Sequence, residues 1–144
     1  MLASMQYVCE APGGRTWFRL ETEAEAEAEA ALMRHAVDKY FRRCMAAARE
    51  SYRAPAGPSF EQAIGMKDHV ARVMPMFLTL RADDGEGLAT AMLPPQGRDL
   101  SEFRAIIVGP ENDDPYLEHD DAIEVLAAHT GLDLDRDVCF PYAD

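Results

Sequence analysis

Long apolar runs are missing from this 144-residue chain. Stretches such as Ala105-Ile106-Ile107-Val108 fall far short of the ~20 apolar residues a membrane helix requires, so no membrane span is expected. The opening Met1-Leu2-Ala3-Ser4-Met5 lacks both the basic start and the apolar stretch of a secretory signal. The expected location is therefore cytoplasmic. Cysteine is scarce: Cys9, Cys44 and Cys139 are the three in the chain, too widely spaced for a zinc ribbon or a redox Cys-x-x-Cys pair. They read as buried, reduced thiols, which suits that compartment. Basic residues are outnumbered, 14 against 26 acids, for a net charge of −12. So acidic a chain is repelled by phosphate backbones, which excludes non-specific nucleic-acid binding. A Gly-x-Ser-x-Gly elbow, a phosphate loop, a dinucleotide fingerprint and a His-Glu-x-x-His pair are all missing. No catalytic residue and no metal ligand is nominated, and no cofactor is expected.

What remains describes an ordinary globular composition, 48% hydrophobic and 28% charged. The length suits one domain spanning residues 1–144, with residues 1–5 read as a disordered start and 132–144 as a tail along the body. Charge is segregated along it. Residues 111–144 hold eleven acids and one base, Arg136, leaving a balance of only −2 for residues 1–110. Residues 34–53 carry six bases and two acids.

Turn and cap residues divide the chain. Strands at 6–11 and 15–21 flank Pro12-Gly13-Gly14, where proline presets φ and glycine accepts a positive one. Alternation puts Thr16, Phe18 and Leu20 on a core face, with Arg15, Trp17 and Arg19 on the other. Thr22 with Glu25 forms a capping box. The Ala/Glu alternation that follows has the period of a strand but the composition of a helix, and composition prevails. A single helix is predicted from Thr22 to about Tyr52. Met33, Val37, Tyr40, Phe41, Cys44 and Ala48 gather on one side, and Lys39, Arg42, Arg49 and Arg53 on the other. In its first two turns glutamates surround the axis, so about 10 Å of solvated helix is expected to project. Arg34, Asp38 and Arg42 stand at ion-pairing intervals. This basic side offers a seat for the acidic C-terminal helix, within one molecule or between two.

Ser59 with Gln62 predicts a second capping box, and Phe60, Ala63, Ile64, Ala71 and Met74 a helical apolar stripe ended by Pro75. Strands at 76–82 and 88–93 flank a turn at 83–87. A loop containing Pro94-Pro95-Gln96-Gly97 leads to a buried strand at 104–108. Asp114 and Pro115 start a last helix that Gly131 stops. The order ββααβββα predicts an α+β fold: one antiparallel sheet of about five strands packed against a long amphipathic helix and two shorter ones. The same element order resembles that of PAS- and profilin-like domains; no motif accompanies it and it assigns no family.

Few constellations carry chemistry. Arg15, Trp17 and Arg19 are the candidate binding residues, an aromatic between guanidinium groups that suits an interface or an anion, unless a helix covers Trp17. Asp133, Asp135, Asp137 and Asp144 follow a calcium-loop rhythm, but Val138 replaces the needed glycine and no helix follows, so a solvated turn is expected. His119 and His129 lie about 80° apart around a helix and cannot share a ligand. Cys139 has acidic neighbours that oppose a thiolate. The expected function is a small acidic interaction or sensor-like module, non-enzymatic and self-associating, with a protein or a second copy as partner. The alternative is a small enzyme or ligand-binding protein whose pocket lies between sheet and helices, with His119, Asp120 and Cys139 converging on it.

Overall fold

In the computed structural model, which describes residues 5–53, 56–95 and 104–142, the N-terminal hairpin forms as its turn dictates. Strands β1 (Gln6–Ala11) and β2 (Arg15–Leu20) meet through Pro12-Gly13-Gly14, where the glycines take φ of 74° and 75°. Strands β3 (Met76–Arg81) and β4 (Gly87–Leu93) make a second hairpin, and β5 (Ile106–Val108) completes the far edge. The order in the sheet is β1-β2-β3-β4-β5, with every neighbouring pair antiparallel. Among the described residues five α-helices accompany it: α1 (Glu23–Met33), α2 (Val37–Glu50), α3 (Ser59–Val73), α4 (Tyr116–Thr130) and the short α5 (Arg136–Cys139). The architecture is the expected α+β one.

Both faces of the sheet are covered. On one side Leu20 and Phe77 pack with Ala26, Val37, Phe41 and Ala48 of α1 and α2. On the other Trp17, Leu78, Leu80, Ala91 and Ile107 pack with Ala122, Ile123 and Leu126 of α4. Strand parity does this sorting, because neighbours in β2 and β3 alternate between two apolar layers. Leu134, Cys139 and Phe140 are buried in the α4 layer. Residues 1–4 of the expected disordered start, Gln96 and Gly97 of the expected loop, and Asp144 of the expected calcium-like turn lie outside the described residues.

The expected single helix from Thr22 to Tyr52 is two helices. Arg34 caps α1 in the left-handed conformation, φ 55° and ψ 54°, with its N–H on Ala30 O, and α2 restarts at Val37. Such a conformation is unfavourable for a residue with Cβ. A tertiary partner holds it: His35 turns in to Thr90, while Arg34 makes only an exposed pair with Glu111 at 3.5 Å. In an unbroken helix His35 would lie about 200° around the axis from the buried Met33, facing water.

Nor does the acidic start project. The capping box forms, with Glu25 N–H donating to Thr22 Oγ1 and Thr22 N–H to Glu25 Oε1, both at 3.1 Å. Yet Ala26, Glu29 and Met33 are fully buried, and α1 lies on β4. Gly87 makes room there, since a Cβ at that position would come within 2.5 Å of Met33 Sδ. The Ser59–Gln62 box does not form: α3 has no side-chain cap, and Gln62 Nε2 donates to Gly57 O instead. The α3 stripe is only partly used. Val70, Val73 and Met74 pack inward, while Phe60 and Ile64 stay exposed.

Candidate functional site

A strand-like period of two cannot stay in phase with the 3.6-residue turn of a helix. A spacing of four keeps the alternation's parity, as Ala26 and Ala30 do, but a spacing of three changes it and brings a glutamate inward, here Glu29, between Ala26 and Met33. Burying it requires partners. Arg81 of β3 donates through its guanidinium to Glu29 Oε1 at 2.5 Å and through Nε to Thr79 Oγ1 at 3.0 Å. Thr90 of β4 donates its hydroxyl to Glu29 Oε2 at 2.5 Å. That hydroxyl proton is spent, so His35 Nε2, 2.8 Å from Thr90 Oγ1, is the donor of their bond. His35 Nδ1 is then the acceptor that receives Val37 N–H at 3.4 Å. The ring is held neutral. Burial pushes its pKa below the ordinary histidine value, and the Glu29 charge opposes this only in part.

Beside the network lies a cavity of about 190 Å³. Val37, Phe77, Met92, Ile106 and Val108 form its apolar walls, and His35 and Thr90 its polar one. Phe77 is steadied by an edge-on contact with Phe41, centroids 5.2 Å apart. Tyr40, Asn112 and Tyr142 stand at the rim, all exposed. Tyr142 follows α5, which packs against β5. Asn112 sits in a tight turn at φ 63°, its N–H bonded to Gly109 O.

The residues nominated from sequence lie elsewhere. Trp17 is not a surface anchor: it is wholly buried and donates Nε1–H to Ala122 O at 2.9 Å, so α4 covers it. Arg15, on the same face, bonds His119 Nδ1 at 3.0 Å and Asp121 at 2.7 Å. That guanidinium bond holds the Asp121 carboxyl below the usual carboxylate range. Burial, then the Arg15 charge, pushes His119 down. Arg19 is half-buried beside a separate cleft near Phe41 and Met74. His119, Asp120 and Cys139 do not converge. Asp120 lines an outer cleft with Asp133 and Asp135, whereas Cys139 is buried with Sγ 3.7 Å from Asp133 O. Asp133 and Asp135 instead accept backbone N–H groups around the start of α5. Among the described residues, no three His, Cys, Asp or Glu side chains cluster as metal ligands would. Burial raises all three thiols above their ordinary pKa.

A second groove, of about 600 Å³, runs between α2, α3 and the end of β4. Ser51 Oγ and His69 Nε2 meet there at 2.7 Å. The hydroxyl gives its proton to Ala48 O at 2.8 Å, so His69 is the donor and does not activate the serine.

Sequence reasoning missed Glu29, His35, Thr90 and Arg81. The one available signal was the phase conflict in the Ala/Glu run, which brings a carboxylate onto the inward side wherever the stripe advances by three. No protein family, no curated protein and no solved structure matches the chain.

Proposed function

We propose that this protein is a non-enzymatic, sensor-like module that takes a small molecule into the cavity beneath the α1–α2 joint. One observation supports this above the others: the polar wall of an otherwise apolar cavity is a buried network with its hydrogen bonds already made. Convergent polar groups in an apolar pocket are the usual setting of a ligand site. Here both His35 nitrogens are engaged and the Thr90 proton is committed. The wall shapes one side of the cavity but offers an occupant neither a free base nor an activated nucleophile. Sensing follows from location. His35 and Val37 belong to the link between α1 and α2, so an occupant that presses on them acts on the joint itself.

Fragment screening by protein NMR tests the proposal. Compounds that perturb Val37, Phe77 and Val108 together, and raise the melting temperature in proportion to occupancy, would support it. Hits that map only to the Ser51–His69 groove, or none at all, would overturn it.

The expected interaction role keeps one specific support. Phe60 and Ile64 stand one turn apart on α3, 66% and 57% exposed, an arrangement that suits a protein partner or a second copy. Light scattering at low and high salt tests self-association. A monomer under both conditions would remove that clause.

A further inference from the structure

We infer that the ligand of this cavity is a small neutral molecule, one aromatic ring or an equal bulk of branched aliphatic carbon, with a single hydrogen-bonding group directed at Asn112. The inference rests on the cavity being a ligand site and adds the chemistry of what enters it.

Size sets the first limit. An apolar cavity of ~150 Å³ admits benzene, and this one is about 190 Å³. Drug-sized ligands occupy roughly 300 Å³ or more. Charge sets the second limit. No Arg or Lys lines the cavity, and Arg81 behind Thr90 is committed to Glu29 and Thr79, so an anion would lose its water without gaining a charged donor. A cation fares no better, because no Asp or Glu lines the cavity and both oxygens of Glu29, behind Thr90, already accept hydrogen bonds. Even the face of Tyr40 is occupied, with the Arg43 guanidinium 5.7 Å from its centroid. Orientation follows from what is left. Among the described residues, the Asn112 amide and the Tyr40 and Tyr142 hydroxyls at the rim have no hydrogen-bond partner, and of the three only Asn112 combines more than one donor with an acceptor. An amide offers two donors and an acceptor, which matches an alcohol, a phenol or a neutral amide.

The test is an NMR titration of the full chain with benzyl alcohol, toluene, benzoate, benzylamine and 1-octanol. Benzyl alcohol should bind most tightly, perturbing Val37, Met92 and Val108. Benzoate and benzylamine should bind at least about tenfold more weakly. Asn112→Gly keeps the left-handed turn and removes the amide. It should weaken benzyl alcohol about threefold to tenfold and leave toluene unchanged. An unaltered benzyl alcohol affinity in that variant would overturn the directed polar group. Tighter binding of benzoate, benzylamine or octanol at the same residues would overturn the ligand class while leaving the cavity a ligand site. If no probe perturbs the cavity residues, the ligand site itself falls, and the inference with it.

Discussion

The carboxylate of Glu29 stands 2.5 Å from the guanidinium of Arg81, with the Glu29 side chain wholly buried and that of Arg81 only 11% exposed. Neither charge would be stable there alone. Together they join the first helix to the middle of the sheet, and the Thr79 and Thr90 hydroxyls take up the remaining hydrogen-bonding capacity.

Removing one partner should therefore cost far more than removing both. Glu29→Ala strands the Arg81 charge and should lower stability by about 3–5 kcal/mol. The double variant Glu29→Met with Arg81→Met restores apolar volume and should cost much less, the remainder being a Thr79 hydroxyl without its donor and a Thr90 hydroxyl that keeps His35 but loses its acceptor. Urea denaturation of the single and double variants checks this. A double variant as unstable as Glu29→Ala would show that lost packing, not a stranded charge, sets the cost.

Arg34 supplies the second prediction. A left-handed cap is ordinarily glycine, and the arginine contributes only an exposed pair with Glu111. Exposed pairs are worth little. Arg34→Gly should leave stability unchanged or raise it by up to about 1 kcal/mol, whereas Arg34→Val should lower it by about 1–2 kcal/mol. Thermal melts of the two variants measure the difference. Equal melts would mean the link is not held left-handed in solution.

These residues also show why some of the fold could be read and some could not. Pro12-Gly13-Gly14 and Thr22 with Glu25 act within a few residues, so the hairpin and the helix start were legible. The break after Met33 has no glycine or proline to announce it; its cause is the bond of His35 to Thr90, far along the chain. The Glu29 network joins residues 52 and 61 positions apart, and no local pattern encodes such a meeting. Trp17 shows the intermediate case. Its strand face followed from parity, but whether water or a helix covered that face depended on α4, a hundred residues later.

Trp17 is the sole tryptophan, which makes it a direct probe of that layer. Its native fluorescence should resist acrylamide quenching and shift to longer wavelength on unfolding. Trp17→Ala opens a cavity under α4 and should cost about 3–5 kcal/mol. Trp17→Phe keeps most of the apolar volume but loses the bond to Ala122, and should cost less. Efficient quenching in the native state would place the indole at the surface, against the buried position.

Acid should weaken the protein before its carboxylates titrate. Burial lowers the pKa of His35 in the folded state, and burial with the Arg15 charge lowers that of His119. In the unfolded chain both return to about 6.5. Above that value both rings are neutral in either state, and their favourable contacts contribute in full. As pH falls below it the unfolded chain binds protons that the native rings resist, so the equilibrium moves toward unfolding. The loss grows until pH passes the folded pKa, where protonation would also set a new Nδ1–H against Val37 N–H in one case and against the Arg15 guanidinium in the other. Urea midpoints should therefore decline from pH 8 to pH 5, and His35→Gln and His119→Gln should each flatten the decline. A midpoint that holds steady or rises over that range would mean the two rings are as free to take a proton in the folded protein as in the open chain.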